Sequence, residues 1–134
     1  MTDQERIERF LDGGPFAVVG ASTNREKYGN MVLRCYMGHG HEVFPINPRA
    51  KEIEGLTCYP DLPSLPKKPH GISVITPSKI TEAVVEEAAA AGIENIWMQP
   101  GAESDKAIAR AEELGMNVIA GGPCLLVVLG FEGH

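Results

Sequence analysis

A short turn of small residues directly follows the first apolar run of this chain. Gly20, Ala21 and Ser22 come after Phe16–Val19, and a helical pattern begins a few residues later. A buried strand that enters a Gly/Ser turn and then a helix leaves backbone N–H groups free, and such groups bind phosphate. The pattern therefore predicts a phosphate-binding turn. The second and third glycines of a GxGxxG fingerprint are missing, and Gly29 comes too late to replace them, which disfavours NAD.

A second turn, after the apolar run His41–Ile46, carries positive charge. Asn47, Pro48 and Arg49 end this run, and Lys51 follows closely. In a dinucleotide-binding fold the end of the second strand reads the ribose, and an NAD site places a carboxylate there. Arg and Lys instead suit a phosphate. We therefore predict a nucleotide with a phosphorylated ribose, such as coenzyme A or NADP; the alternative is that both cations are solvated surface charges.

Strand and helix patterns alternate along the rest of the chain. Five runs have strand character: Phe16–Gly20, Glu42–Ile46, Gly71–Thr76, Asn95–Gln99 and Asn117–Ala120. This alternation requires right-handed crossovers and a parallel sheet covered on both faces. We predict one α/β domain over residues 1–134, a Rossmann-like three-layer α/β/α fold with a mainly parallel sheet of five or six strands. The predicted order is 3-2-1-4-5, with a topological switch between the first and third strands.

Capping residues mark the ends of the predicted helices. Thr2 and Glu5 have capping-box spacing ahead of a short N-terminal helix. A second helix covers roughly Tyr28–Gly38, and Ser78 and Ser104 are the predicted N-caps of two later helices. The inner face of the helix after Ser78 is predicted to consist of Ile80, Val84, Ala88 and Ala91.

Two segments break the alternation. Ile53–Pro69 is proline-rich and holds at most one helical turn, near Leu62–Leu65, in place of a regular crossover helix. Cys124–Leu129 is an unbroken apolar run, which could be a last strand, a buried helix after Pro123 or a subunit contact; periodicity does not decide between them. An apolar run needs cover, so this segment is compatible with a homodimer.

Composition excludes several classes of protein. The chain has 134 residues and a net charge of −6, which disfavours nucleic-acid binding. No apolar run approaches the roughly 20 residues of a membrane-spanning helix, and Met1–Arg6 does not resemble a secretory signal. The three cysteines form no CxxC pair, so we expect reduced thiols in a cytoplasmic protein. No metal-ligand triad or Ser/His/Asp set can be assembled, so no catalytic residue is predicted.

Several ordered motifs resemble a known family. They are Val19–Ser22, Lys27–Gly29, Pro45–Pro48, Glu54–Leu62, Thr76 with Pro77, and Trp97–Gly101. Together they resemble the small stand-alone CoA-binding domain proteins, which are similar to the N-terminal CoA-binding domain of the succinyl-CoA synthetase alpha subunit. The likeness runs from about Phe16 to Ala120. It implies a Rossmann-like domain that binds coenzyme A or acyl-CoA, without an established reaction.

The resemblance also implies a place for each part of the ligand. The diphosphate would meet Gly20, Ala21 and Ser22, and Lys27 would be a phosphate partner; Tyr28 is a further predicted cofactor-binding residue. The ribose phosphate and adenine would be surrounded by Asn47, Pro48, Arg49 and Lys51. The adenine or pantetheine would be walled by Thr76 and Pro77. The pantetheine arm would lie along Gln99 and Gly101.

The residues leave two other functions open. The first is an NADP-linked or acyl-CoA-processing enzyme that uses Cys124, although a buried, inert thiol is the simpler interpretation of that cysteine. The second is a nucleotide-regulated interaction module, in which Leu125–Leu129 and the proline-rich segment bind a partner protein.

Overall fold

The computed structural model describes residues 1–131. Its five α-helices are α1 (Asp3–Leu11), α2 (Tyr28–Gly38), α3 (Ser78–Ala90), α4 (Asp105–Glu113) and α5 (Leu125–Leu129). Its seven strands are β1 (Phe16–Val19), β2 (Val43–Ile46), β3 (Glu52–Ile53), β4 (Leu56–Thr57), β5 (Gly71–Val74), β6 (Asn95–Met98) and β7 (Asn117–Ile119). A 3₁₀ turn, Leu62–Ser64, lies between β4 and β5 at the predicted helical turn.

A five-stranded parallel sheet forms the centre of the molecule. Its order is β2-β1-β5-β6-β7, and each neighbouring pair is parallel. β3 and β4 form a separate antiparallel pair. The predicted α/β Rossmann-like class and the five-stranded parallel sheet are therefore confirmed. The topological switch lies between β1 and β5, which are the first and third strands of this sheet, as predicted.

The predicted strand order is wrong. Counted along the main sheet, the order is 2-1-3-4-5 rather than 3-2-1-4-5, so β2 is an edge strand. Pro45 supplies the physical reason, because proline has no N–H and is confined to sheet edges or bulges. Its carbonyl faces away from β1 and accepts the N–H of Tyr59 at 3.0 Å, and the Tyr59 carbonyl accepts the N–H of Asn47 at 3.0 Å. The segment after β4 therefore occupies the edge that a third strand would have used.

Hydrophobic layers cover both faces of the sheet. On one face α3 and α4 pack over residues such as Val19, Ile72 and Ile96. On the other, α1, α2 and α5 pack over Phe16, Val18 and other residues. The residues after the N-cap Cys124 form helix α5, so the strand alternative is wrong. The helix is not the buried one that was predicted, because only Leu125 is buried whereas Val127 is 80% exposed.

The predicted helix starts are only partly correct. Thr2 and Glu5 form the capping box, and the Ser104 hydroxyl accepts the N–H of Ala107 at 3.0 Å. Ser78 is not an N-cap: Pro77 holds that position, and the Ser78 hydroxyl donates to the Glu103 carbonyl at 3.0 Å. The prediction failed because the Ser78 hydroxyl donates to the loop between β6 and α4 and therefore does not cap its own helix.

The inward face of α3 is rotated relative to the predicted one. Thr81, Val84, Val85 and Ala88 are buried, whereas Ile80 is 52% exposed. Thr81 can be buried because its hydroxyl shares a 2.7 Å hydrogen bond with that of Thr76. The buried polar position displaces Ile80 toward the carboxyl edge of the sheet.

Candidate functional site

A cleft of about 690 Å³ opens where β1, β2 and β5 end. The turn after β1, the start of α2 and the turn after β2 form one wall, and α3 with the segment after Tyr59 forms the other. This is the switch point of the sheet, where open α/β folds bind ligands. Nine predicted site residues line the cleft: Gly20, Ala21, Ser22, Lys27, Tyr28, Asn47, Pro48, Arg49 and Thr76.

Two glycines let the turn after β1 pack closely against its neighbours. Gly20 has a φ of +97°, and a Cβ there would collide with the Ile75 carbonyl oxygen. A Cβ on Gly29 would collide with the Gly20 carbonyl oxygen. Gly29 therefore does the work of the third fingerprint glycine, which allows close contact between helix and strand. The expectation that Gly29 comes too late in the sequence is wrong, because the turn after β1 is longer than in the fingerprint.

The backbone donors available at this turn differ from those expected. The N–H groups of Gly20 and Ala21 are not free, since both donate to the Ile46 carbonyl at 3.2 Å. Among the residues that the structure describes, the N–H groups of Ser22, Tyr28 and Gly29 have no acceptor. The last two belong to the first turn of α2, whose N-cap Lys27 offers no side-chain cap. Uncapped N–H groups at a helix start attract anions.

Asn47 joins the two predicted turns directly. Its Nδ2 donates to the Ala21 carbonyl at 2.8 Å, and its Oδ1 accepts the N–H of Arg49 at 2.8 Å. The two turns therefore face one cleft, as the sequence predicts. The first hydrogen bond joins the two turns and the second closes the turn after β2, so the Asn47 side chain sets the position of one turn against the other.

A second asparagine fixes the loop between β1 and α2. Asn30 is fully buried, and its Nδ2 donates to the Ser22 carbonyl at 2.8 Å and to Glu54 Oε2 at 3.1 Å. Glu54 also forms an ion pair with Arg25 at 3.6 Å. The β3–β4 hairpin therefore braces the loop that carries Ser22.

Two cations on the turn wall have no carboxylate partner. Lys27 and Arg49 line the cleft with exposed side chains, and within residues 1–131 neither forms an ion pair. Both are therefore available to an anionic ligand. Lys51, the other predicted cation, is exposed but does not line the cleft.

Three further predicted residues lie outside the cleft lining. Pro77 is exposed at the N-cap of α3, and Gly101 is exposed in the loop after β6, where its N–H donates to Glu103 Oε1 at 3.2 Å. Gln99 is fully buried, and its Oε1 accepts the N–H of Leu125 at 2.9 Å. Gln99 therefore anchors the start of α5 to the end of β6.

A polar cluster links the cleft to Cys124. The Tyr28 hydroxyl donates to Gln99 Oε1 at 3.2 Å and makes a hydrogen bond with Cys124 Sγ. Burial raises the pKa of Tyr28, and the hydrogen bond with Cys124 raises this pKa further. The phenol therefore stays protonated at neutral pH and does not act as a general base toward the thiol. Sequence reasoning did not find this contact, because Tyr28 and Cys124 are far apart along the chain.

The wall opposite the turns was not predicted. It is lined by Ile80, Val84 and Glu87 of α3 together with Pro60 and Asp61. Ile80, Val84 and Glu87 are spaced so that they lie on one stripe of the helix. This spacing is the feature of the sequence from which their common position could have been predicted. Sequence reasoning assigned Ile80 to the core and overlooked its possible contact with a ligand.

In the part of the chain that the structure describes, no group of three His, Cys, Asp or Glu residues could hold a metal ion. Nor is any described helix long and apolar enough to cross a membrane.

Comparison with known proteins gives relatives of two sizes. The chain is 30% identical over 88 residues to an ADP-forming acetate–CoA ligase I from Archaeoglobus fulgidus; this match covers 66% of the chain but 13% of the ligase. Among solved structures, a hypothetical protein from Pyrococcus horikoshii superposes with a TM-score of 0.88 and 30% identity over 95% of this chain and 89% of that one. A conserved hypothetical protein from Pyrococcus furiosus gives a TM-score of 0.81 and 40% identity over 87% and 99%.

The chain thus spans a small part of the ligase and nearly the whole of the two small proteins. A family model described as CoA binding domain matches residues 15–130 and so includes every part of the cleft. The resemblance drawn from the sequence motifs is confirmed: this chain belongs to the CoA binding domain family.

Proposed function

We propose that this protein binds coenzyme A or an acyl-CoA in the cleft at the switch point. The ligand diphosphate lies at the turn after β1, near Lys27 and the free N–H groups at the start of α2. The ribose phosphate lies beside Arg49. The observation that carries this proposal is the hydrogen bond from Asn47 Nδ2 to the Ala21 carbonyl at 2.8 Å, which holds the turn after β2 against the turn after β1.

The distribution of charge supports this orientation. The protein is acidic overall, with a net charge of −6, yet both cations on the turn wall lack partners in the described chain. An unpaired Arg beside a turn binds phosphate through two parallel hydrogen bonds, whereas Lys supplies a point charge. A ligand that carries phosphate on both the diphosphate and the ribose uses both cations.

The arrangement favours binding over turnover. Cys124 does not line the cleft but connects to it through a hydrogen bond with Tyr28, a phenol that stays protonated. An acyl transfer to Cys124 would form a new thioester, break the thioester of the ligand, and return the thiol proton to the leaving thiolate. Tyr28 does not accept that proton at neutral pH, so we propose no acyl transfer.

Calorimetry with matched ligands tests the proposal. Coenzyme A and dephospho-CoA differ only in the ribose phosphate, so Arg49→Ala should weaken coenzyme A binding about tenfold or more and leave dephospho-CoA binding nearly unchanged. Lys51→Ala is the control, because it removes a nearby cation that does not line the cleft. Equal losses for both ligands in Arg49→Ala would contradict the assignment of Arg49.

Calorimetry with NADP tests the other nucleotide, and mass spectrometry tests the enzymatic alternative. Wild-type protein that binds NADP more tightly than coenzyme A would overturn the proposal in favour of an NADP site. Transfer of an acyl group from acyl-CoA to Cys124 would increase the mass of the protein by that of the acyl group, as measured by mass spectrometry. This result would contradict our proposal that the protein binds the ligand without acyl transfer.

A further inference from the structure

The α3 wall of the cleft presents two apolar side chains and one carboxylate. Ile80, Val84 and Glu87 lie on one stripe of the helix and all face the cleft. Ile80 is 52% exposed, so a large aliphatic surface is left for another group to cover. The aliphatic side chains of Ile80 and Val84 can cover the face of a flat heterocycle. The carboxylate of Glu87 can accept a hydrogen bond from a donor on the edge of the same ring.

The carboxylate of Glu87 is held in one orientation. Its Oε1 accepts the backbone N–H of Leu62 at 2.9 Å, and this contact ties α3 to the turn after Asp61. Within the described residues Oε2 accepts no hydrogen bond. An ionised carboxylate only accepts hydrogen bonds, so the free oxygen selects for a donor on the ligand.

The two walls also differ in the sign of their charge. Lys27 and Arg49 lie on the turn wall, whereas Asp61 and Glu87 lie on the wall formed by α3 and its neighbouring segment. Phosphates are repelled from the second wall and attracted to the first. A nucleotide therefore enters with its phosphates at the turns and its base against α3.

We propose that Glu87 selects the base of the bound nucleotide by accepting a hydrogen bond from its exocyclic amino group. The amino group of adenine is such a donor. A purine without the amino group leaves the desolvated carboxylate oxygen without a partner, which costs binding free energy. This inference rests on the proposed function, since it assumes that the phosphates of the ligand occupy the turn wall.

The test compares coenzyme A with its analogue in which hydrogen replaces the amino group of adenine. Wild-type protein should bind coenzyme A about tenfold or more tightly than the analogue, as measured by calorimetry. Glu87→Gln should bind both ligands within about twofold of each other, because Gln still accepts the Leu62 N–H but then presents its amide donor to the base. Unchanged thermal unfolding of Glu87→Gln would show that the Leu62 contact survives.

Two variants serve as controls. Glu86→Gln removes the adjacent carboxylate on α3, which faces Arg110 at 2.6 Å rather than the cleft, and should keep the wild-type preference. Asp61→Asn removes the other carboxylate of this wall and should also keep it.

The outcomes distinguish this inference from the proposed function. If wild-type protein binds coenzyme A and the analogue equally, or if Asp61→Asn rather than Glu87→Gln abolishes the preference, the assignment of Glu87 is overturned while coenzyme A binding stands. If Glu87→Gln lowered the affinity for both ligands equally, the role of Glu87 would be to hold the Leu62 backbone and not to select the base, which also overturns the assignment. Failure of wild-type protein to bind coenzyme A would overturn the proposed function itself.

Discussion

The two walls of the cleft are built from different kinds of structure. The turn wall is mainly backbone, held in place by glycines without room for a Cβ and by the buried or bridging amides of Asn30 and Asn47. The α3 wall consists of side chains on a regular helix, with Ile80 exposed and Glu87 tied to Leu62 by one hydrogen bond. Substitutions of the glycines and asparagines on the turn wall should therefore change both stability and affinity, whereas Ile80→Ala and Glu87→Gln on the α3 wall should change affinity or selectivity alone.

The largest effect should come from Gly29. An alanine there would place its Cβ against the Gly20 carbonyl, and backbone cannot move aside as a flexible side chain does. We expect Gly29→Ala to lower the free energy of unfolding by about 3 kcal/mol and to abolish ligand binding. Urea denaturation followed by circular dichroism measures the loss.

Gly38→Ala is the matched control for this substitution. Gly38 ends the same helix, and nothing lies within 4 Å of a Cβ placed there. Alanine should stabilise the protein by roughly 0.5–1 kcal/mol, since it restricts the unfolded chain and favours helix. Similar losses in the two variants would mean that the effect at Gly29 is not one of close packing.

A smaller effect is expected at Asn47. Asn47→Ala removes the hydrogen bond to the Ala21 carbonyl, which joins the two turns, and the one from the Arg49 N–H, which lies within the turn after β2. The loss should cost about 2 kcal/mol of unfolding free energy. Affinity for coenzyme A and for dephospho-CoA should fall together, because the variant displaces the whole turn and removes no phosphate ligand. Asn47→Asp keeps the acceptor for the Arg49 N–H but cannot donate to Ala21, so its losses should be intermediate.

A selective loss of coenzyme A affinity in Asn47→Ala would instead identify Asn47 as a direct ligand of the ribose phosphate. That result would remove the distinction between supporting and binding residues on the turn wall.

The smallest effect should come from Ile80. The side chain is 52% exposed, so Ile80→Ala should change the free energy of unfolding by no more than about 0.5 kcal/mol. A ligand that covers Ile80 would lose apolar contact, and we expect affinity to fall roughly fivefold. Calorimetry and thermal unfolding on the same variant check the two halves of this prediction. A stability loss comparable to that of Asn47→Ala would show that Ile80 belongs to the core.

Most of the fold was predictable because its signals are local. Strand and helix patterns alternate, and the bounds of α2 agree with the predicted Tyr28–Gly38. The strand order was not predicted correctly, although Pro45 carried the necessary information: a residue without an N–H disfavours a central strand. The alternation of strands and helices, from which the order was predicted, carries no information on which backbone groups a strand can offer to a second neighbour.

The turn wall was predicted and the α3 wall was not. Gly20, Ser22 and Arg49 belong to short sequence patterns with a known chemical meaning. Ile80 and Glu87 belong to an ordinary amphipathic helix, and their contact with the cleft depends on the rotation of α3 about its axis. That rotation accompanies the burial of Thr81, whose hydroxyl forms a hydrogen bond with that of Thr76. Hydrophobic periodicity does not predict the burial of a polar residue.

By itself, the sequence determined the class of fold, the single parallel sheet and the two turns that face the cleft, because each depends on residues close together along the chain. Tertiary structure decided the rest: that β2 is an edge strand, that Gln99 is buried beneath α5, and that Glu87 faces the turns. These features depend on hydrogen bonds and packing between segments distant in sequence, and their energies exist only once the layers have assembled.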